Sequence, residues 1–148
     1  MDFRKILIGL ALSLLLGSGA AVAADVDKGA KAYKSGDYKT ALAEWTPSAQ
    51  QGKARFQALL GIMYANGQGV PQNYKTAVMW YDKAAKQGHP AAQFNLGFMY
   101  DIGQGVLEND KTAVKWYTKA AEQGYADAQA NLGSMYNKGK GVPQNYKT

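Results

Sequence analysis

"LGFMYDIGQGV", Leu96–Val106, is nearly repeated by "LGIMYANGQGV" from Leu60 and "LGSMYNKGKGV" from Leu132, at a fixed interval of 36 residues. Aligning Gly61–Leu96 with Gly97–Leu132 gives 23 identities in 36 positions. Chance does not do this, so the period is read before any local propensity. A repeat of this length is a supersecondary unit that cannot bury both of its faces alone and therefore stacks on its neighbours.

Each period holds two helical patterns. The first carries Ala91, Phe94, Leu96, Met99 and Tyr100 and stops at Gly103, a residue suited to the left-handed position after a helix. The loop "GQGVLE" follows, and Asn109 stands where an N-cap belongs, with Thr112 three residues on. The second pattern places Ala113, Trp116, Tyr117, Ala120 and Ala121 on one face and stops at Gly124. The same punctuation recurs at Gly67, Asn73 and Gly88. The spacing predicts helices over 26–35, 37–51, 53–66, 73–87, 90–102, 109–123 and 126–138. Gly61, Gly97 and Gly133 lie inside helices, where glycine costs about 1 kcal/mol relative to alanine. Their recurrence predicts a close approach of the facing helix. Trp80, Tyr81, Trp116 and Tyr117 are expected to fill the space between layers. Pro47 is expected to kink its helix or leave a short irregular turn.

The N-terminal unit is a variant. "AYKSGDYKTALAEW", Ala32–Trp45, matches "MYANGQGVPQNYKTAVMWY" with five loop residues missing, so that Tyr33 answers Tyr64. The common pattern, "LGxMYxxGxGVxxNxKTAVxWYxKAAxQGxxxAQxNLG", resembles the Sel-one-like repeat, a relative of the tetratricopeptide repeat with a longer inter-helix loop. The N-terminal unit resembles a plain tetratricopeptide unit more closely. The resemblance covers essentially everything after residue 25. It implies an all-α fold: an α/α superhelical solenoid of helix-turn-helix repeats used as an interaction scaffold. Exported bacterial members are linked to envelope assembly, signalling regulation and host contact, and eukaryotic members to protein-complex assembly in the endoplasmic reticulum. On this reading the chain divides into a leader, 1–23, a tetratricopeptide-like repeat, 24–52, Sel-one-like repeats at 53–88 and 89–124, and an incomplete one at 125–148.

The leader is read from its own pattern. Arg4 and Lys5 precede the apolar run Ile6–Leu16, and Ala21-Val22-Ala23 supplies an A-x-A site. The run is short against the roughly 20 residues a membrane span needs. A cleaved signal peptide is expected, with the protein periplasmic or secreted. Losing Asp2, Arg4 and Lys5 takes the formal charge from +6 to +5. At the other end, "GVPQNYKT" stops at Thr148 where its copy at Gly69–Thr76 runs on into a helix. The expectation is either a longer natural chain or a neighbour over the last helix, with Leu132, Met135 and Tyr136 keeping an uncovered side.

Little chemistry is on offer. With no cysteine and a single histidine, His89, thiolate metal sites and multi-histidine sites are excluded within the chain. The carboxylates form no paired motif. "GQGV" and "GKGV" lack the Gly-Lys-Ser/Thr ending of a phosphate loop. We therefore expect no enzymatic activity, no cofactor and no metal. Lys111, Lys115 and Lys119 form a helical stripe, read as a solvated outer face or as an attraction for anionic polymers. Nucleic acid is not expected as a partner of an exported chain without a basic cluster.

The remaining candidate is a groove. In tetratricopeptide-like solenoids, which the sequence resembles, the first helix of each pair lines a concave surface. The positions placed there are Lys31, Lys34, Arg55, Ile62, Phe94, Asn95, Phe98, Asp101, Asn131, Ser134 and Lys138. Phe94 and Phe98 either line the groove or pack between units. Asn95 and Asn131 either form a ladder that grips a peptide backbone or satisfy local groups. The expected partner is a protein or extended peptide. The alternative is an anionic envelope polysaccharide or peptidoglycan, held by basic and aromatic surface residues.

Overall fold

The computed structural model describes residues 24–142, in which seven helices and no strand occur. They are α1 (Ala24–Lys34), α2 (Tyr38–Gln50), α3 (Ala54–Asn66), α4 (Tyr74–Lys86), α5 (Pro90–Ile102), α6 (Asp110–Glu122) and α7 (Ala126–Lys138). Residues 1–23, where a leader is expected, and the last six residues lie outside the described part. The main packing contacts are between consecutive helices, as a solenoid requires.

Local chemistry sets the boundaries. Asp37, Asn73 and Asn109 each accept a hydrogen bond from the backbone N–H three residues on, at Thr40, Thr76 and Thr112. Each thereby satisfies one of the donors orphaned at a helix start. Gly67, Gly103 and Gly139 close α3, α5 and α7 in the left-handed conformation. The helix α2 runs through Pro47 without an irregular turn. The Thr46 hydroxyl donates to Leu42 O at 2.6 Å, and Gln51 N–H donates to Pro47 O.

The two helices of a unit differ in role. Phe56–Met63 of α3 and Ala91–Met99 of α5 are buried residue after residue. A helix apolar around its girth belongs inside. The second helices α4 and α6 bury one face only: Ala77, Tyr81, Ala84 and Ala85 in one, Ala113, Tyr117 and Ala120 in the other.

The mid-helix glycines answer to one device. A Cβ added at Gly97 would stand 2.9 Å from Tyr117 Cδ1, and one at Gly61 would collide with the Tyr81 ring. Gly29 does the same for Trp45. Each first helix thus has a notch into which the aromatic residue of the following helix presses. Trp45 lies sixteen residues after Gly29, while Tyr81 follows Gly61 by twenty, so the N-terminal unit is four residues short, not five. The pairing of Tyr33 with Tyr64 is displaced accordingly. Trp80 and Trp116 are only half-buried, against expectation. Their rings lie under lysines instead, Lys83 Nζ at 5.2 Å from one centroid and Lys115 and Lys119 at 5.9 and 6.0 Å from the other.

The loop glycines are equally specific. Gly105 has φ 72°, and a Cβ there would run into the Tyr74 carbonyl. Gly69 meets Tyr38 O and Gly141 meets Asp110 O in the same way. "GxGV" is therefore a backbone-to-backbone contact against the start of the preceding second helix.

Candidate functional site

The inner surface is less open than the sequence suggested. Ile62, Phe94 and Asn95 are 0, 1 and 1 % exposed, so none of them faces a ligand. The reason is packing, because each of these first helices is enclosed by the helices before and after it. The Phe94 ring packs in a tilted arrangement against Tyr117 at 5.7 Å and Tyr125 at 5.2 Å between centroids, filling the space between α5 and the start of α7. It is an inter-unit packing residue. Ile62 belongs to the core cluster that includes Leu59, Met63, Ala92 and Leu96.

The two asparagines part company. Neither side-chain polar atom of Asn95 has a hydrogen-bond partner among the described residues, nor has the Tyr81 hydroxyl. Asn131 is half-buried and donates through Nδ2 to the Tyr117 hydroxyl at 3.2 Å. Tyr117 donates in turn to Asp101 Oδ2 at 3.3 Å. Lys140 Nζ reaches Asp101 Oδ1 at 3.0 Å and stands 3.3 Å from Asp110 Oδ1. The first unit of such a pair has alanine, Ala65, where Asp101 stands, so no acid draws the Tyr81 proton. An asparagine ladder does not exist.

What does form is a cleft of about 440 Å³ at one end of the inner surface. It brings together Phe98, Asp101, Asn131, Ser134 and Lys138 of the anticipated residues, and adds Ile102, Glu108, Met135 and Lys140. Phe98 shows only 6 % of its surface, as part of the floor. Lys31, Lys34 and Arg55 do not join it; the two lysines are exposed on α1 and Arg55 is half-buried at the start of α3. Glu108 and Lys140 come from loops, and no helical periodicity could have found them. Their signal was the loop pattern "GxGVxxN", which carries α5 to α6 and continues after α7.

The electrostatics of the cleft follow from these contacts. The hydrogen bond to Asp101 holds the Lys140 ammonium above its ordinary range. Burial, then the Asp101 charge, pushes the Tyr117 hydroxyl far up, so it stays a neutral donor. Lys140 sits between two carboxylates, Asp101 and Asp110, which leaves that group one negative charge, and Lys138 and Glu108 add one charge of each sign at the rim. Asn131 spends its amide N–H on Tyr117 and keeps its amide oxygen as an acceptor. The cleft thus offers an apolar floor, a polar wall and no nucleophile beside a base. Among the described residues no cluster of three metal-ligating side chains occurs, and no helix is long and apolar enough to cross a membrane.

Known proteins supply the family. The Sel1 repeat profile matches residues 54–89, 90–125 and 126–148. The chain belongs to the Sel1 repeat family. It is similar to the crystal structure of a Sel1 repeat protein from Oxalobacter formigenes, with 42 % identity and a TM-score of 0.76 over 80 % of this chain and 49 % of that one. It is also similar to c5321, a protective antigen of uropathogenic Escherichia coli strains with an SLR fold. There the identity is 38 % and the TM-score 0.79, over 94 % of this chain and 30 % of that one. The chain thus spans half or less of either structure. No functionally curated protein matches it. Sel1 repeat proteins are in general protein-interaction scaffolds, built on a helical fold that is generally non-catalytic.

Proposed function

We propose that this Sel1 repeat chain is an exported, non-enzymatic scaffold that holds an extended segment of a partner protein in the cleft between α5 and α7. The observation that carries the reading is the meeting of Phe98, Ile102 and Met135 with Asn131, Ser134 and Lys138 around one opening. An extended peptide alternates its side chains, so one can enter the apolar floor while the next points out. Its backbone N–H can donate to the Asn131 amide oxygen, and the Lys138 ammonium favours an acidic residue or C-terminus at the rim.

The test is to plug the opening. Ser134→Trp fills the cleft from a half-buried position on its wall. In a pull-down from the compartment that holds the protein, the variant should lose the proteins that the wild-type chain retains. Unchanged capture would exclude the cleft. Export is tested separately by the mass of the mature chain, which should begin at Ala24 or Asp25.

A second reading has its own observation. Trp80 and Trp116 repeat on the outer helices, half-exposed, with lysines over their rings. That surface would favour an anionic envelope polymer. Co-sedimentation with purified cell-wall polymer, weakening as salt rises, would support it; its absence would leave the cleft as the site.

A further inference from the structure

We infer that Asp101 sets the hydrogen-bonding polarity of the cleft. It is a positioning residue that acts through Tyr117 and makes Asn131 present its amide oxygen, so that the site selects a partner's N–H over a carbonyl. The inference rests on the cleft reading above.

In the chain of bonds Lys140–Asp101–Tyr117–Asn131, the role of the carboxylate is fixed, since an ionised carboxylate accepts and never donates. Lys140 Nζ holds Asp101 Oδ1 at 3.0 Å, and Oδ2 lies 3.3 Å from the Tyr117 hydroxyl. The Tyr117 proton therefore goes to Asp101. The Tyr117 oxygen is left as an acceptor, and Asn131 satisfies it through Nδ2 at 3.2 Å. An amide turned the other way would set two acceptors against each other. The Tyr117 ring has no room to swing aside, because it is wholly buried and pressed against Gly97.

The preceding repeat has the same tyrosine and asparagine without the acid. Ala65 stands 36 residues before Asp101, at the same place in the repeat. Tyr81 is as deeply buried as Tyr117, yet its hydroxyl has no partner among the described residues, and neither has either polar atom of Asn95. The relay forms where a carboxylate starts it.

Asp101, Asn131 and Lys140 all line the cleft, so the polarity is expressed there. An extended segment offers N–H and C=O groups in turn, and a fixed acceptor takes the N–H. The residue seated against Asn131 is then never proline, which has no N–H to give.

The relay is read without any partner, from the Asn131 side-chain amide in the nuclear magnetic resonance spectrum of the full chain, isotopically labelled at asparagine. Tyr117→Phe removes the acceptor and shows where an unbonded Asn131 amide resonates. Asp101→Asn keeps the size and removes the charge. Lys140 still takes the oxygen, the new amide group turns its N–H to Tyr117, and the relay reverses. The Asn131 amide signal should therefore move from its wild-type position to the Tyr117→Phe position. Asp101→Ala, which copies Ala65, should displace it as well. A signal that stays at the wild-type position in either Asp101 variant overturns the inference. Specificity is read by quantitative capture from the native compartment. Asp101→Asn should reduce about tenfold the proteins that wild type retains and Ser134→Trp loses; tenfold is the upper range of one lost hydrogen bond. Capture equal to wild type, with Ser134→Trp still losing it, overturns the inference and leaves the cleft standing. Capture that Ser134→Trp leaves intact removes the cleft and this role of Asp101 together.

Discussion

Asn95 and Asn131 share a repeat position, and their surroundings give them opposite roles. Asn131 is bonded into the Tyr117–Asp101–Lys140 chain. Asn95 is buried with neither polar atom partnered. A buried polar group without a partner costs about 1–3 kcal/mol. Asn95→Leu should therefore hold or raise stability by about 1 kcal/mol in urea unfolding, whereas Asn131→Leu should lower it by a similar amount. Equal effects would show that the two sites are alike after all. His89 makes a pH prediction. Its Nδ1 accepts from Ala92 N–H at the cap of α5, and burial together with Arg55 lowers its pKa to about 4. The folded state thus disfavours the proton that the unfolded chain takes up near the ordinary value of 6.5. Stability from this residue is complete above that value and is lost as pH falls through about 4. The slope cannot exceed about 1.4 kcal/mol per pH unit for one proton, and residual solvent contact makes it less. Unfolding midpoints between pH 6.5 and 5 should fall for wild type and flatten for His89→Asn, which keeps a capping oxygen.

Among the elements, the pairing of first and second helices was legible and its chemistry was not. The recurrence of Gln-Gly and Ala-Gln was visible in the sequence, but Gln93 and Gln123, which bond side chain to side chain, stand 30 residues apart at opposite ends of a unit, and both also bond to the backbone of the unit before. Gln123 Nε2 reaches Gly88 O at 2.9 Å and Gln93 Oε1 at 2.8 Å, joining segments about one period apart. Composition and helical periodicity carry no trace of such a bond. Gln123→Ala should cost about 1–2 kcal/mol, because it leaves two acceptors without a donor. The double variant with Gln93→Ala should cost less than the sum of the singles. Strict additivity in a double-mutant cycle would mean that the two glutamines act apart. The glycine notch, by contrast, was legible as a close approach, since a helix tolerates glycine only for a reason. Gly97→Leu should cost about 1–3 kcal/mol through collision with Tyr117. A midpoint equal to wild type would remove the notch from the account.

For the whole molecule, a period of 36 residues with caps and glycine stops was enough to place all seven helices, because those signals are local. A far-ultraviolet circular dichroism spectrum of residues 24–148 should be strongly helical. The candidate groove was only half legible. Matched positions in successive repeats say which residues of α3, α5 and α7 share a face. They do not say how closely successive helices pack, and that packing buries Ile62, Phe94 and Asn95 while leaving Phe98, Asn131 and Ser134 around an opening. Among the described residues a cleft remains between α5 and α7. Binding at that cleft is the central claim, and site-specific photo-cross-linking tests it most directly. A photo-reactive phenylalanine is placed at Ser134 in the cleft or at Met79 on the exposed outer side of α4, and adducts are collected from the native compartment. The account predicts a discrete protein adduct from position 134 and none of that identity from position 79. Adducts at position 79 with none at position 134 would contradict it.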